Sequence, residues 1–189
     1  MKLKLVFVLL GGLFVTPAVA APETFVIDMP HSFSNFEVGH LGINWIHGRF
    51  NKTSGKITLD RAMKQGSIQA EIDVTSVDTG YARRDDLLRS EDYFNVSKFP
   101  TMTYQSNNLR FKEDTLVGAD GELTMLGVTR PVSLDLASFK CITHPVNKRE
   151  LCGAIARATI KRSEFGMTRA SSSLSDEIRI SINIEALKS

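Results

Sequence analysis

Asp28, His31 and Ser32 fall within five consecutive positions, and a carboxylate, an imidazole and a hydroxyl are the parts of a nucleophilic triad. A working triad also needs convergence in space and an oxyanion hole, and the chain has no Gly-x-Ser-x-Gly elbow. With Pro30 before it and Asn35 after it, the stretch reads as a turn leading into a strand that begins at Ser32. His31, His40 and His47 suggest a three-histidine metal site, but spacings of nine and seven match no recognisable ligand motif. They are expected as hydrogen-bonded polar residues. No catalytic residue, metal or cofactor is expected, and the chain reads as a non-enzyme.

Arg83, Arg84 and Arg89 stand beside Asp85 and Asp86 and are expected to pair with them or with neighbouring strands. The sharper reading has one of these arginines meeting an anionic ligand head group, since a guanidinium fork suits carboxylates and phosphates. Cys141 and Cys152 flank a polar segment containing Thr143, His144, Pro145 and Asn147. One reading is a hairpin-like connection clamped by a disulfide. The other is a metal site of Cys141, His144 and Cys152, which lacks a fourth protein ligand at a useful spacing.

The compartment bears on that choice. Lys2 and Lys4 precede an apolar run from Leu5 to Val15, and Ala18-Val19-Ala20 supplies a small-x-small cleavage pattern. Eleven helical residues rise about 16 Å, roughly half the hydrocarbon thickness of a bilayer. Residues 1–20 are therefore expected to be a cleaved signal peptide, with the domain at 21–189 exported to a periplasm or secreted. An oxidising compartment favours the disulfide. The formal charge of +2 also loses its meaning: without Lys2 and Lys4, 21 basic residues face 21 acidic ones. No basic stripe suited to nucleic acid remains.

The elements that would carry these residues are mostly strands. Ile178, Ile180, Ile182 and Ile184 alternate with Glu177, Arg179, Ser181, Asn183 and Glu185, giving one apolar face and one wet face. Ile68 to Val74 and Val132 to Leu136 alternate likewise, with shorter versions at Phe36–Val38, Ile57–Leu59, Met102–Tyr104, Leu116–Met125 and Ala154–Ile160. Turn signals such as Ser54-Gly55, Gln65-Gly66 and Asp120-Gly121 separate them. Seven or eight one-faced antiparallel strands predict a sandwich or barrel. Tyr81 to Arg89 reads as a helix capped by Asp78 or Thr79, and Ser90-Glu91-Asp92 as a second cap. An outer-membrane barrel is the rival, because alternation does not say which face is inside. Strands that look shorter than a tilted span requires, few aromatics for two girdles, and the helical insert count against it. From the residues alone, the chain is an exported barrel with room for an apolar ligand.

The order of motifs resembles the YceI family of exported polyisoprenoid-binding proteins. The resemblance begins at His31-Ser32 with Phe36, His40-Leu41-Gly42 and Gly48-Arg49-Phe50. It continues through Thr75-Ser76-Val77-Asp78-Thr79-Gly80, Arg84-Asp85, Leu88-Arg89-Ser90, Asp92-Tyr93-Phe94-Asn95-Val96 and Phe99-Pro100. Gly121-Glu122-Leu123-Thr124, Gly127 to Val132 and Arg162-Ser163-Glu164-Phe165-Gly166-Met167 complete it. The segment with Cys141, Cys152 and His144-Pro145 resembles a branch of the family with the same cysteine pair.

The resemblance implies an all-β, eight-stranded antiparallel barrel, lipocalin-like, with one or two short helices and an interior tunnel. Its expected cargo is a long polyisoprenoid lipid such as a quinone, a quinone precursor or a polyprenyl phosphate. A homodimer, and a membrane cytochrome or quinone-pathway partner, are further expectations. A broad scavenger of hydrophobic compounds under stress is the alternative function. The tunnel wall is expected at Phe36, Val38, Ile57, Leu59, Ile72, Val74, Met102, Leu134, Ile180 and Ile182. Head-group contacts are expected from Arg83, Arg84, Arg89 and His40. Where many relatives read Arg-Asp-x-His-Leu, this chain has Leu87 in place of the histidine, so no role of that histidine carries over.

Overall fold

The computed structural model describes residues 21–189, and the expected signal peptide lies outside them. Within the described residues eleven strand segments follow one another: β1 (Glu23–Ile27), β2 (Phe33–His40), β3 (Asn44–Phe50), β4 (Thr53–Asp60), β5 (Gln65–Asp73) and β6 (Val77–Asp78) before their one α-helix, α1 (Ala82–Arg89). β7 (Thr101–Lys112), β8 (Thr115–Met125), β9 (Val128–Thr143), β10 (Glu150–Lys161) and β11 (Leu174–Lys188) come after it. β1 and β2 lie end to end along β11, and β4 and β3 lie end to end along β1 and β2. Pairing then runs through β5, β7, β8, β9 and β10 back to β11, so the segments close an eight-stranded antiparallel barrel.

The break between β1 and β2 is a single 3-10 turn, Met29–His31, entered through Pro30. Ser32, fully buried, repairs the interrupted ladder. Its Oγ donates to the Glu185 carbonyl at 3.2 Å and accepts from the Glu185 N–H at 3.1 Å. Buried backbone groups need partners, and a serine is short enough to supply both.

The isoleucine alternation of β11 holds, and its apolar face points inward. Ile178, Ile180, Ile182 and Ile184 line the interior, while Glu177 and Arg179 are exposed. That orientation is the opposite of a lipid-facing barrel, whose lumen is polar. The strands are not as short as their alternation suggests. β7 to β11 are 11 to 16 residues long, ample for a tilted span. The alternation hid this length because register shifts, between Gln105 and Asn108 and between Ile155 and Ala156, break its phase.

The helical insert is also simpler than expected. Tyr81, not Asp78 or Thr79, is the N-cap of α1, and Asp85 reaches back from inside the helix to Thr79. Residues 91–98 are turns, not a second helix. Asn95 sits at φ +46°, and the N–H groups of Phe94 and Asn95 are taken by the carbonyls of Leu88 and Ser90. A left-handed residue six positions after the end of α1 ends any helical continuation.

Candidate ligand cavity

Two chambers follow the barrel axis. The upper one, at the α1 end, has a volume of about 130 Å³. The lower one, at the end closed by Cys152, Phe139 and Leu116, has a volume of about 120 Å³. Both are lined almost wholly by apolar side chains. They meet at Ser34, Ile72, Tyr104, Leu134 and Ile182, which border both.

Of the residues expected in the wall, Phe36, Val38, Met102 and Ile180 line the upper chamber, and Ile57 and Leu59 line the lower. Ile72, Leu134 and Ile182 line both. Val74 is packed in the core instead, at 1% exposure. Phe36 owes its position to Gly48 on the paired strand. A Cβ at Gly48 would lie 2.3 Å from the ring Cζ, so only glycine lets the ring lie flat against β3. Phe36 then meets Phe50 at a tilt of 41°, and Phe50 meets Phe94 edge-on, tying the insert to the barrel.

The polar groups around the lumen are spent on one another. Ser34 Oγ and Thr53 Oγ1 form a buried hydrogen bond of 3.0 Å. The Tyr104 hydroxyl donates to the Val132 carbonyl at 3.0 Å, with the Ala119 carbonyl at 3.2 Å. Burial, reinforced by the negative charge of Asp120, pushes the Tyr104 phenol up to about 12. Arg162, 3% exposed, borders the upper chamber. Its guanidinium donates to the carbonyls of Ser175, Met167 and Arg169 at 2.7–2.9 Å. It thereby holds the 166–175 connection across the end of the barrel. Tyr104 and Arg162 were not singled out in the sequence as wall residues. Tyr104 was within reach, one alternation step from Met102, but nothing in the spacing marks Arg162.

The expected head-group arginines do not line either chamber. Arg84 donates to the Thr79 hydroxyl and carbonyl at 2.8 and 2.9 Å. Arg89 donates to the carbonyls of Thr75 and Val77 and pairs with Asp86 at 3.2 Å. Arg83 is exposed. His40 ends β2, in register with Leu174 and Asn44. The arginines of α1 and its flank thus pin the 75–79 segment under the helix.

The histidines stay apart. His31 lies in the turn before β2 and His40 at its far end, and the strand from Phe33 to His40 between them spans roughly 23 Å at about 3.3 Å per residue. His47 faces outward beside Glu37, 3.4 Å away. His31 Nδ1 bonds Asp28 Oδ2 at 2.7 Å, and that bond and charge raise its pKa. Ser32 is occupied by Glu185, so the three residues of the apparent triad do not connect. Among the described residues, Asp28, His31 and Glu185 do bring three metal-capable atoms within 4.8 Å of one another at the surface. Cys141 and Cys152, opposite each other on β9 and β10, form a disulfide. With both thiols committed to that bond the alternative metal set is lost, and His144 Nδ1 accepts from the N–H groups of Val146 and Asn147. The Arg61 guanidinium lies over the disulfide, 3.4 Å from Cys141 Sγ, and is held there by Glu23 and by Glu150 at 2.9 Å.

Residues 25–186 match the YceI-like domain as a family. The chain belongs to that family. It is 32% identical over 191 residues to a UPF0312 protein of Pseudomonas aeruginosa and to Protein YceI of Salmonella arizonae, covering all of this chain and 99% of each. Among solved YceI-like structures, the Campylobacter jejuni YCEI protein superposes with a TM-score of 0.68 at 26% identity, over 78% of this chain and 87% of that one. Burkholderia cenocepacia BcnA gives 0.70 at 23% identity, over 84% and 98%. A polyisoprenoid binding domain from Saccharophagus degradans, implicated in plant cell wall breakdown, gives 0.64 at 20%, over 87% and 98%. The last two likenesses concern the YceI-like barrel itself.

Proposed function

We propose that this YceI-like protein is a periplasmic carrier that holds the chain of a long polyisoprenoid lipid in its barrel and acts by binding, not by catalysis. The observation that carries the reading is the lumen: two adjoining chambers with apolar walls, whose buried polar side chains Ser34, Thr53, Tyr104 and Arg162 are hydrogen-bonded within the protein. Each buried CH₂ of a chain placed there contributes about 0.8 kcal/mol, so affinity needs no polar contact. A polar head group would lose its water inside with nothing to replace it, at a cost of about 1–3 kcal/mol or more. The lumen therefore suits a chain whose head lies outside it. The polyisoprenoid binding domain of Saccharophagus degradans has the same fold, and the signal-like residues 1–20 support export.

The test is native mass spectrometry of the protein taken gently from its own periplasm, followed by organic extraction. One isoprenoid species near one per chain is the expected result. A mixture of unrelated hydrophobic compounds would turn the reading to a scavenger, and an empty barrel would end the carrier assignment. Phe36→Asp, which places a charge in the upper chamber, is expected to abolish retention while export continues.

A further inference from the structure

We propose that the hairpin tip Leu41-Gly42-Ile43, between β2 and β3, inserts into a lipid bilayer and seats the upper end of the barrel on the membrane; this rests on the carrier reading above. Leu41 is 58% exposed and Ile43 83%. Apart from its chain neighbours, nothing lies within 4 Å of where a Cβ on Gly42 would stand. The tip is nevertheless fixed: the Leu41 N–H donates to the Ser173 carbonyl at 2.8 Å, and the Ile43 N–H to the His40 carbonyl at 3.1 Å. Leu41 also takes a left-handed φ of +52°, a conformation that suits glycine or asparagine better than leucine. Two large apolar side chains are thus held out in water on a set backbone, with no packing to offset the cost.

The position of the tip selects its occupant. Val38 on β2 and Leu174 on β11 line the upper chamber, and Leu41 bonds the residue before Leu174. The tip therefore rises from the rim of that chamber, beside the connection that Arg162 holds across the barrel end. The lower end is closed by Cys152, Phe139 and Leu116, which leaves the upper end as the way in. A long apolar chain is driven out of water, so its carrier must meet a bilayer at that end. Two residues beyond Ile43, about 7 Å along β3, the indole of Trp45 lies over Gly39 on the outer wall. The Arg179 guanidinium stands 3.8 Å from the ring centroid. An apolar tip backed at that depth by a tryptophan and a cation matches the layers of a membrane interface, where tryptophan sits among the headgroups and arginine meets lipid phosphates. Two side chains on one tip are too few for a protein partner, whose stable interfaces take about 800 Å² from each side.

Trp45 is the only tryptophan in the chain, so its fluorescence reports on this tip. The experiment mixes lipid-stripped protein with vesicles of phosphatidylethanolamine and phosphatidylglycerol, with and without solanesol, a long isoprenoid alcohol. Vesicle flotation, Trp45 emission and solanesol uptake are followed. The wild-type protein is expected to float with the vesicles, shift its emission to the blue and take up solanesol from them. Leu41→Asn combined with Ile43→Asp keeps the turn, because asparagine suits the left-handed position. That variant is expected to lose about tenfold or more in vesicle affinity and in rate of uptake, with the apolar burial gone. Its binding of solanesol presented in detergent should stay within about twofold of wild-type, which also shows that it is folded. Val146→Asp, at the opposite end of the barrel and equally exposed, is expected to change neither readout. If the wild-type protein neither floats nor shifts its emission, or if the tip variant matches it on vesicles, docking through this tip is wrong although the carrier stands. The same holds if Val146→Asp is the variant that fails. A dimer that the tip variant converts to monomer, with vesicle binding unchanged, would give the tip to a second copy of the chain. Wild-type protein that takes no solanesol even from detergent would end the carrier reading and this one with it.

Discussion

Tyr104 is a polar residue made to serve an apolar wall, and its titration reports that environment. The phenol ionises near 10 in an ordinary setting, and burial beside Asp120 pushes it up to about 12 in the folded barrel. The neutral form is thus favoured by folding. Its contribution is complete below pH 10 and disappears as pH rises through about 12, where the unfolded chain is already ionised. A shift of that size corresponds to about 2–3 kcal/mol across this window. Tyr104→Phe should be less stable at pH 7 by about 1 kcal/mol, the worth of a buried hydrogen bond. Between pH 10 and 12 it should lose less stability than the wild-type protein, as urea midpoints at successive pH values would show. Parallel pH curves for the two proteins would contradict the account. Much of the wall at this scale was legible: an alternating Phe, Ile or Met can be assigned to the inner face. Arg162 and the sites of Arg84 and Arg89 were not, because a guanidinium can bond backbone carbonyls from any loop, and carbonyl positions are not written in side-chain types.

At the scale of elements, the β9–β10 pair shows what spacing can and cannot say. Cys141 and Cys152 were legible as a clamp, and they meet in direct register at the closed end of the lower chamber. The full extent of β9 was not legible, since an extra residue opposite the step from Ile155 to Ala156 moves its inward face from Leu136 to Phe139 and ends the visible alternation. The same limit applies to β1 and β2, one continuous course along β11 that a three-residue turn splits in two. Closing the short loop between the cysteines restricts the unfolded chain and contributes about 3 kcal/mol in the chain-entropy model. Cys141→Ala combined with Cys152→Ala should lower unfolding stability by about that amount. Reductant should do the same to the wild-type protein and nothing further to the double variant. A urea midpoint in the double variant equal to that of the oxidised wild-type protein would show that the neighbouring strands hold the end unaided.

For the whole molecule, a hollow barrel is a compromise between wall and interior. Period-two alternation fixes which residues share a face, but not whether two such faces touch. A collapsed sandwich and an open lumen share the same pattern, and strand register and closure decide between them. Here closure keeps the faces apart. Chambers of about 130 and 120 Å³ remain, and at about 24 cal/mol per Å³ each leaves on the order of 3 kcal/mol of packing unrealised. That is a large share of the roughly 5–15 kcal/mol by which domains are stable. A ligand that fills the chambers therefore binds the folded state alone and recovers the missing contacts. At a free concentration one hundred times its dissociation constant, it would add about 2.7 kcal/mol. For a chain of this size that corresponds to roughly 5–10 °C in melting temperature. Protein stripped of lipid in detergent and exchanged into buffer should melt lower than the native preparation by that interval, and adding solanesol should restore the difference. Calorimetry on the two preparations decides the matter. Equal melting temperatures would mean that the chambers are closed to lipid and that the barrel is stable around empty space.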